Sequence, residues 1–171
     1  MQKWFIPGTL ALAALLADFC SKIWANTNLQ YGQQQQFLPG LLHLTLTRNS
    51  GSAFGLGKGH STLMAVLASA IILTIIAWTV KRERSDSPLN GLERSGVAII
   101  IGGAIGNLID RLMHGEVTDF LDFSFIDFPV FNVADALIDI GAALVIIGAL
   151  MLNQRNDAAE DAGEKPVEKN V

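Results

Sequence analysis

Four long apolar runs, separated by polar stretches, set the outline of the chain: Trp4 to Trp24, Leu63 to Val80, Leu92 to Leu112 and Phe131 to Leu152. About 20 residues of helix cross a bilayer core, so each run predicts a transmembrane helix. The first run starts like a secretory leader, with one positive charge and then apolar residues. It ends in Asp18-Phe-Cys-Ser-Lys22 rather than a small-x-small cleavage site, so a retained span is expected. Between the first two spans, 26–60 is polar. Tyr31 to Gln36 is rich in Gln, and Leu42-His-Leu-Thr-Leu-Thr47 alternates apolar and polar with the period of a half-buried strand. Arg48-Asn-Ser-Gly-Ser-Ala-Phe-Gly55 then supplies the small residues of a turn. A small sheet at the membrane surface is expected here, resting on helices or lipid, because an isolated strand pair is not stable. The second polar excursion, 113–130, reads as a loop.

Composition agrees with the pattern. The chain has 171 residues, 50% of them hydrophobic and 16% charged, with a mean hydropathy of +0.38; this suits a small multi-span membrane protein better than a soluble domain. The net charge of −4 gives no reason to expect a nucleic-acid partner. Cys20 is the one cysteine and cannot form an internal disulfide, and three scattered His lend no support to a metal site. After Asn153 the chain turns polar. The expected organisation is a single membrane domain over 1–153, with an outer-face subregion at about 26–60, and a disordered cytoplasmic tail over 154–171.

The bases orient the spans. Lys3, the loop bases Lys81, Arg82, Arg84 and Arg94, and then Arg155 fall on one face. The positive-inside rule puts that face, and both termini, in the cytoplasm. Both polar excursions then lie outside. Asp18, Asn107, Asp110, Arg111, Asp119 and Asp135 converge on that outer boundary from four segments.

Carboxylates at a membrane boundary are costly and therefore candidate functional groups. Thr118 to Asp139 carries five Asp among Phe, Val and Ile, with no Lys or Arg. Asp119 and Asp135 are the candidate pair; the ordinary alternative is a polar loop with solvated acids. Asp18 and Lys22 are spaced i,i+4 on one helix face, as an interfacial ion pair or as part of a site. Gly102 and Gly106 form a small-xxx-small pattern that permits close helix approach. Gly103, Asn107, Asp110, Arg111 and His114 form one stripe of the same helix. Asp18 with Arg111, or Lys22 with Asp110, are the evident interhelical pairings. Asn49 is a turn former or a hydrogen bonder of substrate. Asn132 is a candidate N-cap with Asp135 in the first turn of the fourth helix, where the helix N-terminus favours negative charge.

In order, Asp18-x-x-Ser-Lys22, Asn49-x-Gly-x-Ala-Phe54, Gly103-Ala-x-Gly-Asn107-x-x-Asp110-Arg111, Val117-x-Asp119-Phe120 and Phe131-Asn132-x-Ala-Asp135 resemble the motifs of bacterial lipoprotein signal peptidases, the signal peptidase II family. Phe19 stands where that family often has Gln, and Asp122, Asp127 and Asp139 are acids outside the motifs. The resemblance implies an all-α integral membrane protein of four transmembrane helices, with a small β-sheet and a short interfacial helix on the outer face, within 26–60. It implies an aspartic endopeptidase of the bacterial inner membrane, monomeric, needing neither cofactor nor metal. Its partners would be membrane lipids and lipid-modified prolipoproteins, cleaved before their diacylglyceryl cysteine at the periplasmic side. Asp119 and Asp135 would be the catalytic pair. Asn49, Asn107, Arg111 and Asn132 would shape the site and hold substrate. Asp18, Lys22 and Asp110 would support it. A rival class is a small proton-coupled transporter using the same Asp/Lys/Arg cluster. A third is an assembly factor in which the acids are merely paired.

Overall fold

A computed structural model describes residues 2–51 and 60–161, with side chains over 3–51 and 60–152. In chain order the elements are a 3-10 turn (Gln2–Trp4), α1 (Phe5–Asn28), β1 (Gln34–Leu38), β2 (Leu42–Asn49), α2 (Ser61–Glu83), α3 (Gly91–His114), β3 (Val117–Phe123) and α4 (Val133–Asp161). Among the described residues, four helices are long and apolar enough to cross a membrane. Their outer faces expose Leu12, Leu16, Leu67, Ile71 and Ile147. Such a belt is the expected surface of a helix in lipid, where the hydrocarbon replaces a protein core.

α3 is the central helix. Its span is 44% buried, against 17% for those of α2 and α4. Glycines make this possible. A Cβ at Gly102 would strike the Ala11 carbonyl, one at Gly106 the Asp18 carboxylate, and one at Gly103 the Ala134 carbonyl. Gly102 and Gly106 therefore seat α1, and Gly103 seats α4. Packing of this kind, rather than water exclusion, holds helices together in a bilayer. The helix begins with a capping box: Asn90 accepts from the Leu92 and Glu93 N–H groups, and Glu93 accepts from the Asn90 N–H. It ends at Gly115, whose φ of 74° is the left-handed conformation that glycine adopts without strain.

The strands form one antiparallel sheet in the order β1-β2-β3. Leu44, Leu46 and Phe120 pack with Ala25 and Leu29 from the end of α1, which fixes the sheet to the helices through a small apolar core. β1 and β2 form within 26–60, where a small sheet is expected; β3 departs from the reading of the sequence, because it lies where a loop is expected. Val117-Thr-Asp-Phe-Leu-Asp-Phe123 is rich in strand-forming residues, but Val117 to Phe120 are all buried, Asp119 among them, so the strand shows no simple alternation of apolar and polar positions. The interfacial helix expected within 26–60 is not found among the described residues beyond α1; 52–59 lie outside them. α4 continues through Asp161, into the stretch expected as a tail, and 162–171 lie outside the described residues.

The glycine contacts give a direct test. Gly106→Val should lower thermal stability in detergent by about 1–3 kcal/mol, the usual cost of overpacking. Gly8→Ala, where a Cβ meets nothing within 4 Å, should leave the melting temperature unchanged or slightly raised. Equal behaviour of the two variants would show that the α1–α3 contact is looser than this packing requires.

Candidate active site

Asp119 comes from the middle of β3 and Asp135 from the first turn of α4. The chain between them folds back so that Phe131 and Leu121 exchange backbone hydrogen bonds at 2.8 and 2.9 Å. This places Asn132 beside both acids. Its Nδ2 donates to Asp119 Oδ1 at 2.6 Å and to Asn107 Oδ1 at 3.1 Å. Its Oδ1 accepts the Asp135 backbone N–H at 3.0 Å, and its own N–H donates to Asp135 Oδ2 at 3.2 Å. The reciprocal pair is a capping box with Asp in the acidic position. One Asn thus starts α4 and touches both carboxylates.

Each acid has a second amide. Asn49 Nδ2 donates to Asp119 Oδ2 at 3.1 Å while its Oδ1 accepts the Gly51 N–H at 3.0 Å. Asn49 is therefore a turn former and a hydrogen bonder at once, and the group it bonds is an acid of the protein. Asn107 Nδ2 donates to Asp135 Oδ1 at 2.8 Å.

Behind the amides sits Lys22, 4% exposed. Its ammonium lies 2.7 Å from Asp18 Oδ2, 3.2 Å from Asp110 Oδ2 and 2.8 Å from Asn107 Oδ1. Lys22 and Asp110 therefore pair as one of the two options. The other, Asp18 with Arg111, does not occur: Asp18 is held by Lys22 and its Oδ1 accepts the Ala134 N–H at 3.0 Å, at the N-terminus of α4. Arg111 instead donates to the carbonyls of Asn107 at 3.3 Å and Gly51 at 3.2 Å. Its Nε is buried without a hydrogen-bond partner among the described residues. Its charge acts on Asp135 first, then on Asp119 and Asp110.

All nine candidate residues thus lie in one connected network. Asp139 is outside it, exposed on α4 with no hydrogen bond or ion pair among the described residues. Asp122 faces another way, accepting from Gln34 and Thr45 across the sheet. Thr118 is a participant that sequence reading misses. Buried in β3, it donates its N–H to Asp110 Oδ2 at 3.0 Å, and its hydroxyl accepts from Arg48 at 2.6 Å. Asp110 and Arg48 thereby fix the depth of the strand that carries Asp119. Among the described residues, no group of three or more His, Cys, Asp or Glu could hold a metal ion.

Burial pushes the Asp119 carboxyl up to about 6, and the neighbouring Asp135 charge adds to the rise; the Asn132 and Asn49 hydrogen bonds oppose it. A carboxyl raised on folding binds its proton more tightly in the folded than in the unfolded chain. Its stabilising contribution is complete below its ordinary value of 3.8 and is lost as pH rises through about 6. The stability of the wild type should therefore fall across that window by up to about 3 kcal/mol, at about 1.4 kcal/mol per pKa unit. Asp119→Asn should lack this component. Thermal unfolding of both proteins from pH 4 to 7 tests the assignment, and parallel slopes would refute it.

The family model described as Signal peptidase (SPase) II matches residues 10–151, which contain the whole network. The chain is 36% identical over 161 residues to the lipoprotein signal peptidase of Gloeobacter violaceus, covering 94% of this chain and 88% of that one. It is 31% identical over 153 residues to the lipoprotein signal peptidase of Staphylococcus aureus, covering 87% and 91%. A solved bacterial membrane enzyme, determined by the in meso method at 2.3 Å resolution, superposes with a TM-score of 0.76 at 30% identity, over 95% of this chain and 92% of that one. The chain is a multi-pass membrane protein that belongs to the signal peptidase II family of peptidases.

Proposed function

We propose that the chain is an aspartic endopeptidase that removes signal peptides from prolipoproteins, cutting before the diacylglyceryl-modified cysteine, with Asp119 and Asp135 as its catalytic pair. The observation that carries this reading is Asn132, bonded to both carboxylates at 2.6 and 3.2 Å. Two acids held by one small residue can share a proton, which is the arrangement peptide hydrolysis by carboxylates needs.

In the proposed reaction Asp135 is the ionised base. It sits at a helix N-terminus, which favours negative charge. Asp119, raised to about 6 chiefly by burial, is the member that takes up a proton more readily than an ordinary carboxyl and serves as the acid. Asp135 takes a proton from water as the water oxygen bonds to the scissile carbonyl carbon, and Asp119 donates to the developing oxyanion. The carboxyls then exchange roles. Asp119 takes a proton back from a hydroxyl of the tetrahedral intermediate as the carbon–nitrogen bond breaks, and the departing amine takes the proton from Asp135. Asn49, Asn107 and Asn132 hold the two acids in place. Asp18, Lys22 and Asp110 anchor that frame, and Arg111 holds the segment after β2 through Gly51.

The substrate class follows from the relatives, which are named lipoprotein signal peptidases. A lipid-modified precursor enters from the bilayer, so a site at the membrane boundary suits it. The bases Lys3, Lys81, Arg82, Arg84 and Arg94 lie at the opposite end; under the positive-inside rule this supports a site on the outer face of the bacterial inner membrane, with both termini inside. A proton-coupled carrier is disfavoured because carriers bind near the midplane, whereas this network sits at one end of the spans.

Asp119→Asn and Asp135→Asn should each reduce cleavage of a lipidated precursor by about 10²–10⁴-fold, the usual worth of general acid–base catalysis, in protein that still inserts and melts cooperatively. Asp139→Asn should keep its turnover. Near-normal cleavage by either of the first two variants in a gel-shift assay would remove that residue from the pair.

A further inference from the structure

The far end of the molecule carries a second feature that the peptidase reading does not use. A crevice of about 380 Å³ lies between α1, α2 and α3, within the range of roughly 300–1,000 Å³ typical of small-molecule sites. Its floor is Val97 and Ala98, both buried, and its lips are Gly8, Ile76 and Val80, all exposed. It therefore opens sideways, toward the surface that faces lipid. The walls are apolar. Thr79 is the polar exception, and its hydroxyl is already bonded to the Ile75 carbonyl at 2.7 Å. Gly8 leaves the crevice wider still, since a Cβ there would meet nothing within 4 Å.

The three walls end alike. Lys3, Pro7 and Ala11 follow one another at i,i+4,i+8, as do Ile76, Val80 and Arg84; Arg94, Ala98 and Ile101 follow at i,i+4,i+7. Arg94, Ala98 and Ile101 share one face of α3; Arg84 is the C-cap that follows α2, and Lys3 lies in the 3-10 turn that precedes α1, so each wall has a cation at the same end. Lys3 and Arg94 share Glu83 at 2.7 and 2.8 Å, which leaves this pair with excess positive charge. Arg94 also lies 6.0 Å from the centre of the Trp4 ring at the crevice mouth. Arg84 is exposed, and its guanidinium has no ion pair or hydrogen bond among the described residues.

We propose that this crevice is a binding site for one anionic phospholipid, its acyl chain lying between α1, α2 and α3 and its phosphate held by Lys3, Arg84 and Arg94. An apolar trough open to the bilayer with a cationic rim matches the two halves of such a lipid. A packed helix from a second protein would need acids at its end to meet the same rim. Basic residues beside a span attract anionic headgroups, and the crevice adds a fixed place for the tail.

The test uses the full chain purified in detergent, with Trp24→Phe and Trp78→Phe so that Trp4 is the remaining tryptophan. Phosphatidylglycerol with brominated acyl chains should quench Trp4, and should do so at about thirtyfold lower concentration than brominated phosphatidylcholine, as the two net positive charges left on the rim after Glu83 would give. Gly8→Leu, which fills the trough, should abolish the quenching. Lys3→Gln with Arg84→Gln should erase the preference for phosphatidylglycerol while leaving precursor cleavage intact. Native mass spectrometry should retain one phosphatidylglycerol per chain. Equal quenching by both lipids, quenching that survives in folded Gly8→Leu, or a dimer that dissociates in Gly8→Leu would each overturn the proposal. If Gly8→Leu does not fold, the headgroup preference and its loss in the charge variant decide.

Discussion

The buried ammonium of Lys22 is the interaction on which the outer end of the bundle depends. It brings Asp18 from its own helix and Asp110 and Asn107 from α3 within 3.2 Å. A cation this deep is expensive unless it is fully paired, and removing one partner of a buried pair typically costs about 3–5 kcal/mol. The consequences run outward from it. Asp18, fixed by Lys22, receives the Ala134 N–H and sets where α4 begins. Asp110 receives the Thr118 N–H and sets where β3 begins. Asn107 passes the constraint to Asp135 and Asn132. Gly106 belongs to the same unit, because any side chain there would displace the Asp18 carboxylate.

The spans are legible in the sequence because lipid imposes one simple rule on every helix, and their ends fall within a few residues of the apolar runs. The capping role of Asn132 and the Lys22–Asp110 pair are legible too, the first from its place before an apolar run and the second from matching stripes on two helices. β3 is not. A strand read by alternation is expected to turn acids outward, and Asp119 turns inward because Asn49 and Asn132 are there to meet it. Those partners lie 70 and 13 positions away along the chain, so no local pattern announces them. Thr118 is hidden for the same reason. Arg111 misleads in the other direction: an acid partner is the natural guess, while the structure gives it backbone carbonyls.

The two proposed catalytic acids sit on elements of different kinds, and this has a mechanical consequence. Asp119 is held by a sheet register, opposite Thr47 on β2. Asp135 is held by the start of a helix packed on α3. The link between them is short and doubly tied, by the Phe131–Leu121 backbone bonds and by Asn132. Phe123, Phe128 and Phe131 pack edge-on or tilted against one another beside it, with ring centres 5.0 to 5.9 Å apart. Two elements that could otherwise drift are thus locked at the point where the chemistry is proposed. Positioning of reacting groups is worth several kcal/mol of a reaction barrier, and a rigid frame preserves it.

Charge counting carries the same conclusion one step further. The network holds four carboxylates, those of Asp18, Asp110, Asp119 and Asp135, and two cations, Lys22 and Arg111. Lys22 is committed to Asp18 and Asp110. Arg111 reaches toward the outer pair but forms no ion pair with either member among the described residues. Full ionisation would therefore leave two carboxylates, both bonded to Asn132, in a buried site with no ion pair of their own among the described residues. Burial is the larger cause of the rise of Asp119 to about 6, and the charge of Asp135 adds to it; a proton on the pair relieves both. The charge of Lys22 still reaches Asp119 and opposes its rise, but burial outweighs it. The frame around Lys22 thus holds the acids still without neutralising them, which leaves the Asp119 carboxyl a tighter proton holder than an exposed one, as the proposed acid–base chemistry requires.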